Sequence, residues 1–578
     1  MILFVKNHKL VLFLIALISA IIFIPFIGNC ALFDWDEVNF AECAREMVVS
    51  GDYSNVQLNF RPFWEKPPFF IWLQAISMNI FGVNEFAARF PNAVCSIVSL
   101  CAMYIIGKKF HSIKFGLIWC LLYVTSLLPH FYFKSGIIDP WFNLFIFLAI
   151  YHVYRFLYNP NGKKELWNAL LGGFFLGMAV LTKGPAALVI TALTVLIYLG
   201  WNKQLKLLFS KPFLIFVFTT IFVSGSWFLI EWSKGNGKII MEFIDYQIRL
   251  VQTEDSGHSG PFIYHFVVLL IGCFPASLIF LGTYLKYNEL TPSQRHYRKM
   301  LLCLFWVVLI LFSLFKTKIV HYSSLCYFPL TFVAAIGLNQ YFETFKFSKI
   351  LKVIYWLVTA VLTLAFTLIG SFKFIQQPLL KSGLINDQFA ELNLAADVSW
   401  SGFEWVIGLL FLCGSILIFH ALSKHRIKLF YWGLALNFSF IYLSIVVLVP
   451  KIELYTQEAT IAFYRQCAKH NCYIETHGFK SYAYLFYSDR RKTDYVNPDQ
   501  IKYIEHQLDV MVKEGHSRVM SYAVSNQLWM ENGVIDRPAY LVIKTPSEKD
   551  LAYSPELVKL YQKNGFSFFV RMPRITAK

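Results

Sequence analysis

The residues best equipped for chemistry fall in a few short stretches. "FDWDEVNFAECAREM" (33–47) carries Asp34, Asp36 and Glu37 among aromatics, and "LNFRPFWEKPPFFIWLQ" (58–74) sets Glu65 beside Lys66 ahead of a double proline. Further on stand Asp139 in "SGIIDPW", Lys183 in "LTKGP", Arg249 and His258 in "YQIRLVQTEDSGHSGPF", and Lys316, Lys318, His321 and Tyr322 in "FKTKIVHY". A carboxylate can accept or orient a hydroxyl proton. Arginine grips a phosphate with a planar fork and lysine as a point charge. Single cations, carboxylates and aromatics together suit a substrate that is both phosphorylated and lipid-linked. Each residue also has a plainer reading. Asp36 could cap a helix, Glu65–Lys66 could be an ion pair worth under about 1 kcal/mol, and Lys316 and Lys318 could snorkel to headgroups. Glu65 and His258 could share a divalent ion, although two ligands far apart in sequence make a thin donor set.

The elements that must hold these residues are membrane helices. The chain of 578 residues is 57% hydrophobic and only 15% charged, against about a quarter charged in soluble domains. Runs such as "LVLFLIALISAIIFIPFIG" and "VIYWLVTAVLTLAFTLIG" approach the roughly 20 residues that cross a bilayer core. The first run is read as a retained anchor rather than a cleaved signal. About thirteen spans are expected, near 10–28, 86–106, 115–130, 137–157, 167–181, 184–200, 212–230, 262–285, 300–315, 322–340, 351–371, 403–422 and 429–449. With the N-terminus inside, every inner loop is basic, among them Lys108–Lys109–Lys114 and Arg295–Arg298–Lys299. That asymmetry accounts for the net charge of +17 without a nucleic-acid partner. On this map every candidate residue lies on the outer face, which predicts one external site.

A first external loop over about 29–85 is expected to hold two interfacial helices, the second starting near Pro68. Residues 451–578 differ in composition and read as a small outer α/β domain, following a membrane domain over 1–450. In it "QEATIAFYRQCAKH" patterns as a helix, "AYLVIKT" and "FSFFVRM" as strands, and "SPELVKLYQKNG" as a helix ending in Gly. Of eleven cysteines, Cys467 and Cys472 stand close together in this part, and their pairing is left open.

The opening "DWDEVNFAECAREMVVSGDY…LNFRPFWEKPPFFIWLQAISMNIFGVNEFAARFPNA" resembles bacterial glycosyltransferases related to lipid A aminoarabinose transferases and protein O-mannosyltransferases. The likeness continues through "IIDPW", "LTKGP", "GHSGPFIYH" and "KTKIVHYSSLCYFPL", covering approximately residues 1–340. It implies a polytopic α-helical GT-C fold in the inner membrane, with site and C-terminal domain on the periplasmic side. It also implies a polyprenyl-phosphate-linked sugar donor and an envelope lipid, glycan or protein acceptor. By the same resemblance Asp36 matches the catalytic acid, and Lys66, Arg249 and Tyr322 match donor-phosphate positions. Lys183 matches a further basic position, and Glu65 and Asp139 match acidic positions near the pocket. Glu37, His258 and Lys318 are expected around them. Asn39 stands where the aminoarabinose transferases commonly carry an Arg, so one expected cation is missing. A transporter or flippase of a lipid-linked anion is the competing reading. Such proteins place charge near the midplane in broken, often repeated helices, whereas here it gathers at one interface and no repeat is seen.

Overall fold

The computed structural model describes residues 7–63, 65–158, 163–237, 241, 243, 260–286, 289–491, 497–513, 518–551 and 556–574. Among these, nine helices are long and apolar enough to cross a bilayer. The pair Tyr264–Gly272 and Ala276–Thr283, bent by 110°, makes a tenth if taken as one broken span. Three further expected spans are helices of under 18 residues: α1 (His8–Phe23), α5 (Ile113–Val124) and α9 (Ala186–Trp201). The chain is a multi-pass helical membrane protein with a small C-terminal sheet.

The first external loop is built from α2 (Asp36–Ser50), the short hairpin β1–β2 (Gln57–Leu58, Arg61–Pro62) and α3 (Phe69–Phe81). Pro68 occupies the N-cap of α3, as its fixed φ favours. α4 (Glu85–Phe110) then enters the bundle, followed after α5 and α6 (Leu127–Tyr132) by α7 (Asp139–Tyr158), α8 (Lys163–Lys183) and α10 (Lys211–Ser233). Counting the bent pair as α11 and α12, the next long helix is α13 (Pro292–Leu314), which leads through a 3₁₀ turn, Val320–Cys326, into α14 (Tyr327–Gln340).

The C-terminal sheet has the order β3–β4–β6–β5, with β3 (Tyr473–His477) parallel to β4 (Ala539–Lys544). β6 (Phe566–Arg571) runs antiparallel to both β4 and β5 (Leu557–Lys563). The expected helix in "SPELVKLYQKNG" is therefore corrected to a strand. Asn564 and Gly565 both take positive φ, 47° and 79°, the two-residue turn that matches the twist of a hairpin.

The sheet is not a separate body. One apolar core contains Leu32, Met47 and Ile71 of the first loop together with Ile461, Leu485 and Phe568 of the C-terminal part. Polar ties reinforce the joint. Buried Arg45 pairs with Glu42 at 2.7 Å and reaches Asp489 at 3.2 Å, Tyr487 Oη accepts from Leu32 N at 2.8 Å, and Arg465 pairs with Glu85 at 2.7 Å. Consequently α2 is buried nearly all round, not laid on a membrane surface along one face as its pattern suggested.

Candidate active site

Asp36 is the first residue of α2, and the N-cap position before it belongs to Trp35, which has φ 74° and no side-chain capping bond. The aspartate is thereby released from capping. Its side chain, 44% exposed, faces His321 Nε2 at 3.6 Å. The same Nε2 stands 3.9 Å from Asp139 Oδ2, whose side chain is 3% exposed. Asp139 Oδ1 accepts from Lys183 Nζ at 2.6 Å, and this ammonium lies 5.3 Å from the Tyr322 ring centre. Four residues from the starts of α2 and α7, the end of α8 and the 3₁₀ turn thus meet at one end of the bundle.

Local packing explains why they meet. Asn92 of α4 donates to the carbonyls of Ser135 and Ile137 at 2.6 and 2.7 Å, fixing the chain that delivers Asp139. Asn143, one turn below Asp139, donates to Ser324 Oγ at 2.8 Å, and Ser324 Oγ donates to the His321 carbonyl at 2.5 Å. The helix carrying the carboxylate and the turn carrying the imidazole are therefore tied together.

The outer aspartate of the loop behaves differently. Asp34 accepts from Trp35 N at 2.9 Å and Tyr482 N at 3.4 Å. Burial pushes its carboxyl above the usual range, partly countered by the bond to Ser481.

The remaining candidates divide. Lys66 is half-buried and close enough for its charge to act on both Asp139 and His321, which puts it with the cluster. Glu65, its neighbour, acts instead on Cys43 and Tyr482. The adjacent acid and base thus serve two directions, the site and the C-terminal part.

Glu37 turns into the protein. Arg89 holds it bidentately at 2.6 and 2.8 Å, and it accepts from Phe33 N at 2.8 Å and Gly136 N at 2.5 Å. A Cβ on Gly136 would sit 2.9 Å from Glu37 Cγ, so only glycine fits there. Glu37 is corrected from a pocket residue to a brace joining α2, α4 and the approach to α7. Lys318 is corrected likewise. Its ammonium donates to the carbonyls of Phe312 at 3.3 Å, Ser313 at 2.7 Å and Phe315, capping the C-terminal end of α13.

Arg249 and His258 lie outside the described residues. Among the described residues no group of three or more His, Cys, Asp or Glu is placed to hold a metal ion. Of the pair expected to share a divalent ion, Glu65 is among the described residues and His258 is not. His321 is the residue to which sequence reasoning gave no role. Its presence among the outer polar residues was visible, but no spacing announces that its Nε2 meets two carboxylates about 100 residues of sequence apart from each other.

Residues 65–228 match the model for dolichyl-phosphate-mannose-protein mannosyltransferases. The chain is 27% identical over 326 residues to the undecaprenyl phosphate-alpha-4-amino-4-deoxy-L-arabinose arabinosyl transferase of Photorhabdus laumondii, covering 56% of this chain and 58% of that one. Against the protein of the same name from Pectobacterium carotovorum it is 26% identical over 362 residues, 62% and 64% of the two chains. The fold superposes on ArnT from Cupriavidus metallidurans, a structure bound to undecaprenyl phosphate, with TM-score 0.74 over 99% of this chain and 100% of that one at 15% identity.

The chain is thus similar to ArnT in fold and, over residues 65–228, to the protein mannosyltransferases. In sequence it spans about three-fifths of the two named curated relatives, 58% and 64% of their lengths. The likeness in fold to ArnT runs through the C-terminal sheet as well. The stretch matched by the family model begins at residue 65 and so includes Lys66.

Proposed function

We propose that this protein transfers a sugar from a polyprenyl-phosphate carrier to an envelope acceptor at the periplasmic face of the inner membrane. The observation that carries this reading is the meeting of Asp36, His321, Asp139 and Lys183 at one end of the helix bundle. The named relatives and the undecaprenyl phosphate bound to ArnT support the donor class.

A prenyl phosphate leaves as a stable anion, so the reaction needs charge stabilisation more than a strong acid. Lys66 and Lys183 supply positive charge next to the exposed carboxylate, with Arg249 assigned to the same task from the sequence. Charge fixed where the leaving oxygens develop theirs requires no reorganisation at the moment of reaction. Asp139 keeps Lys183 extended toward the site and gives up part of that pairing when phosphate arrives. Asp36 orients or deprotonates the acceptor hydroxyl, which attacks the anomeric carbon opposite the departing phosphate. Asp139 is buried and paired, so one exposed carboxylate remains, matching a single displacement with inversion rather than a covalent glycosyl-enzyme.

The acceptor is the finer question. Asn39 is buried and accepts from the Cys43 thiol at 3.8 Å, so this position brings no cation to the site. We therefore place a neutral hydroxyl on a lipid, glycan or protein ahead of a lipid A phosphate. The test is purified protein in nanodiscs with a polyprenyl-phosphate-linked sugar and an envelope extract, followed by mass spectrometry. Free polyprenyl phosphate together with a newly glycosylated acceptor is expected. Intact donor moved across the bilayer without loss of its sugar would overturn the reading in favour of a flippase.

A further inference from the structure

α13 joins the two ends of the bundle: Leu314 is its last residue before the segment that carries His321, and Pro292 begins it at the far end. Arg295, Lys299, Trp306, Ile310 and Leu314 recur along it at intervals of four or seven, and so share one stripe. At 1.5 Å per residue, positions 295 to 314 extend about 28 Å. Facing them across a groove of about 670 Å³ are Ile197 and Trp201 of α9. The groove is apolar along its length and basic at the Pro292 end alone.

That basic end is unusual in its placement. Arg295, Arg298 and Lys299 occupy the first two turns of α13, with no acidic residue in the first turn. A helix N-terminus is the positive end of the dipole and disfavours cations. Arg298 is turned to the Tyr284 carbonyl. Among the described residues, Arg295 and Lys299 bond to neutral groups: Arg295 to the Leu290 carbonyl at 3.2 Å, and Lys299 to Asn202 Oδ1 at 2.8 Å. The Lys299 ammonium also stands 4.2 Å over the Trp201 ring, which is 65% exposed at the groove mouth. Two cations, an interfacial tryptophan and a helix N-terminus form a seat for an anion, and the channel leading away from it is hydrocarbon.

We propose that this groove binds an anionic phospholipid, its headgroup phosphate on Arg295 and Lys299 and one acyl chain along α13 toward Leu314. An acyl chain fills one leaflet, about half of a core roughly 30 Å thick, which the stripe accommodates. The direction is set by charge, since the cations stand at the end away from Asp36. The lipid therefore belongs to the leaflet opposite the transfer site. A polyprenyl donor entering beside Leu314 would carry its phosphate at the wrong end of the groove for these two residues. The site acts on lipid retention and is independent of the transfer reaction.

The test is native mass spectrometry of the full chain purified in detergent, offered equimolar phosphatidylglycerol, phosphatidylethanolamine and undecaprenyl phosphate. Phosphatidylglycerol is expected to be retained at least fivefold over phosphatidylethanolamine. The preference should fall with added salt and disappear in the Arg295→Gln/Lys299→Gln double variant. A second variant, Ile310→Trp, fills the groove without touching a charge and should reduce retention of phosphatidylglycerol. Equal retention of the two phospholipids in the wild type overturns the proposal. So does unchanged retention in Ile310→Trp, or displacement of phosphatidylglycerol by undecaprenyl phosphate, which would give the groove to the donor's tail.

Discussion

Asp36 and Glu37 are neighbours in sequence and opposites in structure. Glu37 meets a guanidinium and two backbone amides at 2.5–2.8 Å, with its side chain 2% exposed. Asp36 is 44% exposed, and His321 Nε2 stays 3.6 Å from it. Near the same nitrogen, Asp139 Oδ2 is buried without a hydrogen-bond partner. One cluster has its lone pairs filled and braces three elements. The other is under-satisfied, and its unfilled capacity faces the same small space. Saturation marks structure, and a polar group left short at an accessible point marks a place where something else is to bind.

This contrast yields graded expectations. The largest effect is expected for Glu37→Ala, which leaves the Arg89 guanidinium buried and unpaired at a cost of about 3–5 kcal/mol. Thermal unfolding in detergent should show it as a large loss of melting temperature or of folded yield. Removing both charges of the second cluster, in Lys183→Met with Asp139→Asn, leaves no unpaired carboxylate. Melting should stay near wild type while transfer falls about 100-fold, or about 2.7 kcal/mol of activation free energy. A large stability loss in that pair of changes would make the two clusters alike and break the comparison. His321→Gln keeps a polar group between the carboxylates and should lower turnover about tenfold, roughly 1.4 kcal/mol, with little change in donor KM.

The smallest effect concerns the C-terminal part. Burial pushes the Glu475 carboxyl up to about 7, despite bonds from Asn526 and Thr476. The unfolded chain gives up this proton near the usual 4.5. Between those values the folded state holds a proton that the unfolded state has lost, so stability falls as pH rises from about 4.5 to 7 and is level above. Glu475→Gln should flatten this dependence, by about 1–3 kcal/mol at pH 8, measured as melting temperature against pH. An unchanged slope would place the titration elsewhere.

Much of this was legible in the sequence because bilayers impose simple rules. Length and apolarity located the helices, and the basic loops grouped the candidate residues toward one side of them. The convergence of Asp36, Lys66, Asp139, Lys183 and Tyr322 at one end followed from that map. What it could not separate was Asp36 from Glu37, since a one-residue step on a helix rotates a side chain by about 100°, and which face meets Arg89 is a tertiary fact. Lys318 misled for a related reason. A lysine after a helix end suits a phosphate and a row of free carbonyls equally well. In the C-terminal part, "VKLYQKNGFSFFV" carried a hairpin signal in Asn564–Gly565 that a helical reading of the preceding residues overrode. The fusion of this part with the first loop had no local signature at all, because the shared core joins residues more than 400 positions apart.

The central claim is that Asp36 is the acting carboxylate of a sugar transferase. It is tested most directly by comparing purified wild type with Asp36→Asn for release of polyprenyl phosphate from a polyprenyl-phosphate-linked sugar in the presence of acceptor. The substitution keeps shape and removes charge at a half-exposed position that braces nothing. We expect unchanged melting and donor retention with transfer reduced at least 100-fold, within the range that positioned acid–base groups contribute. Transfer by Asp36→Asn at the wild-type rate would contradict the account.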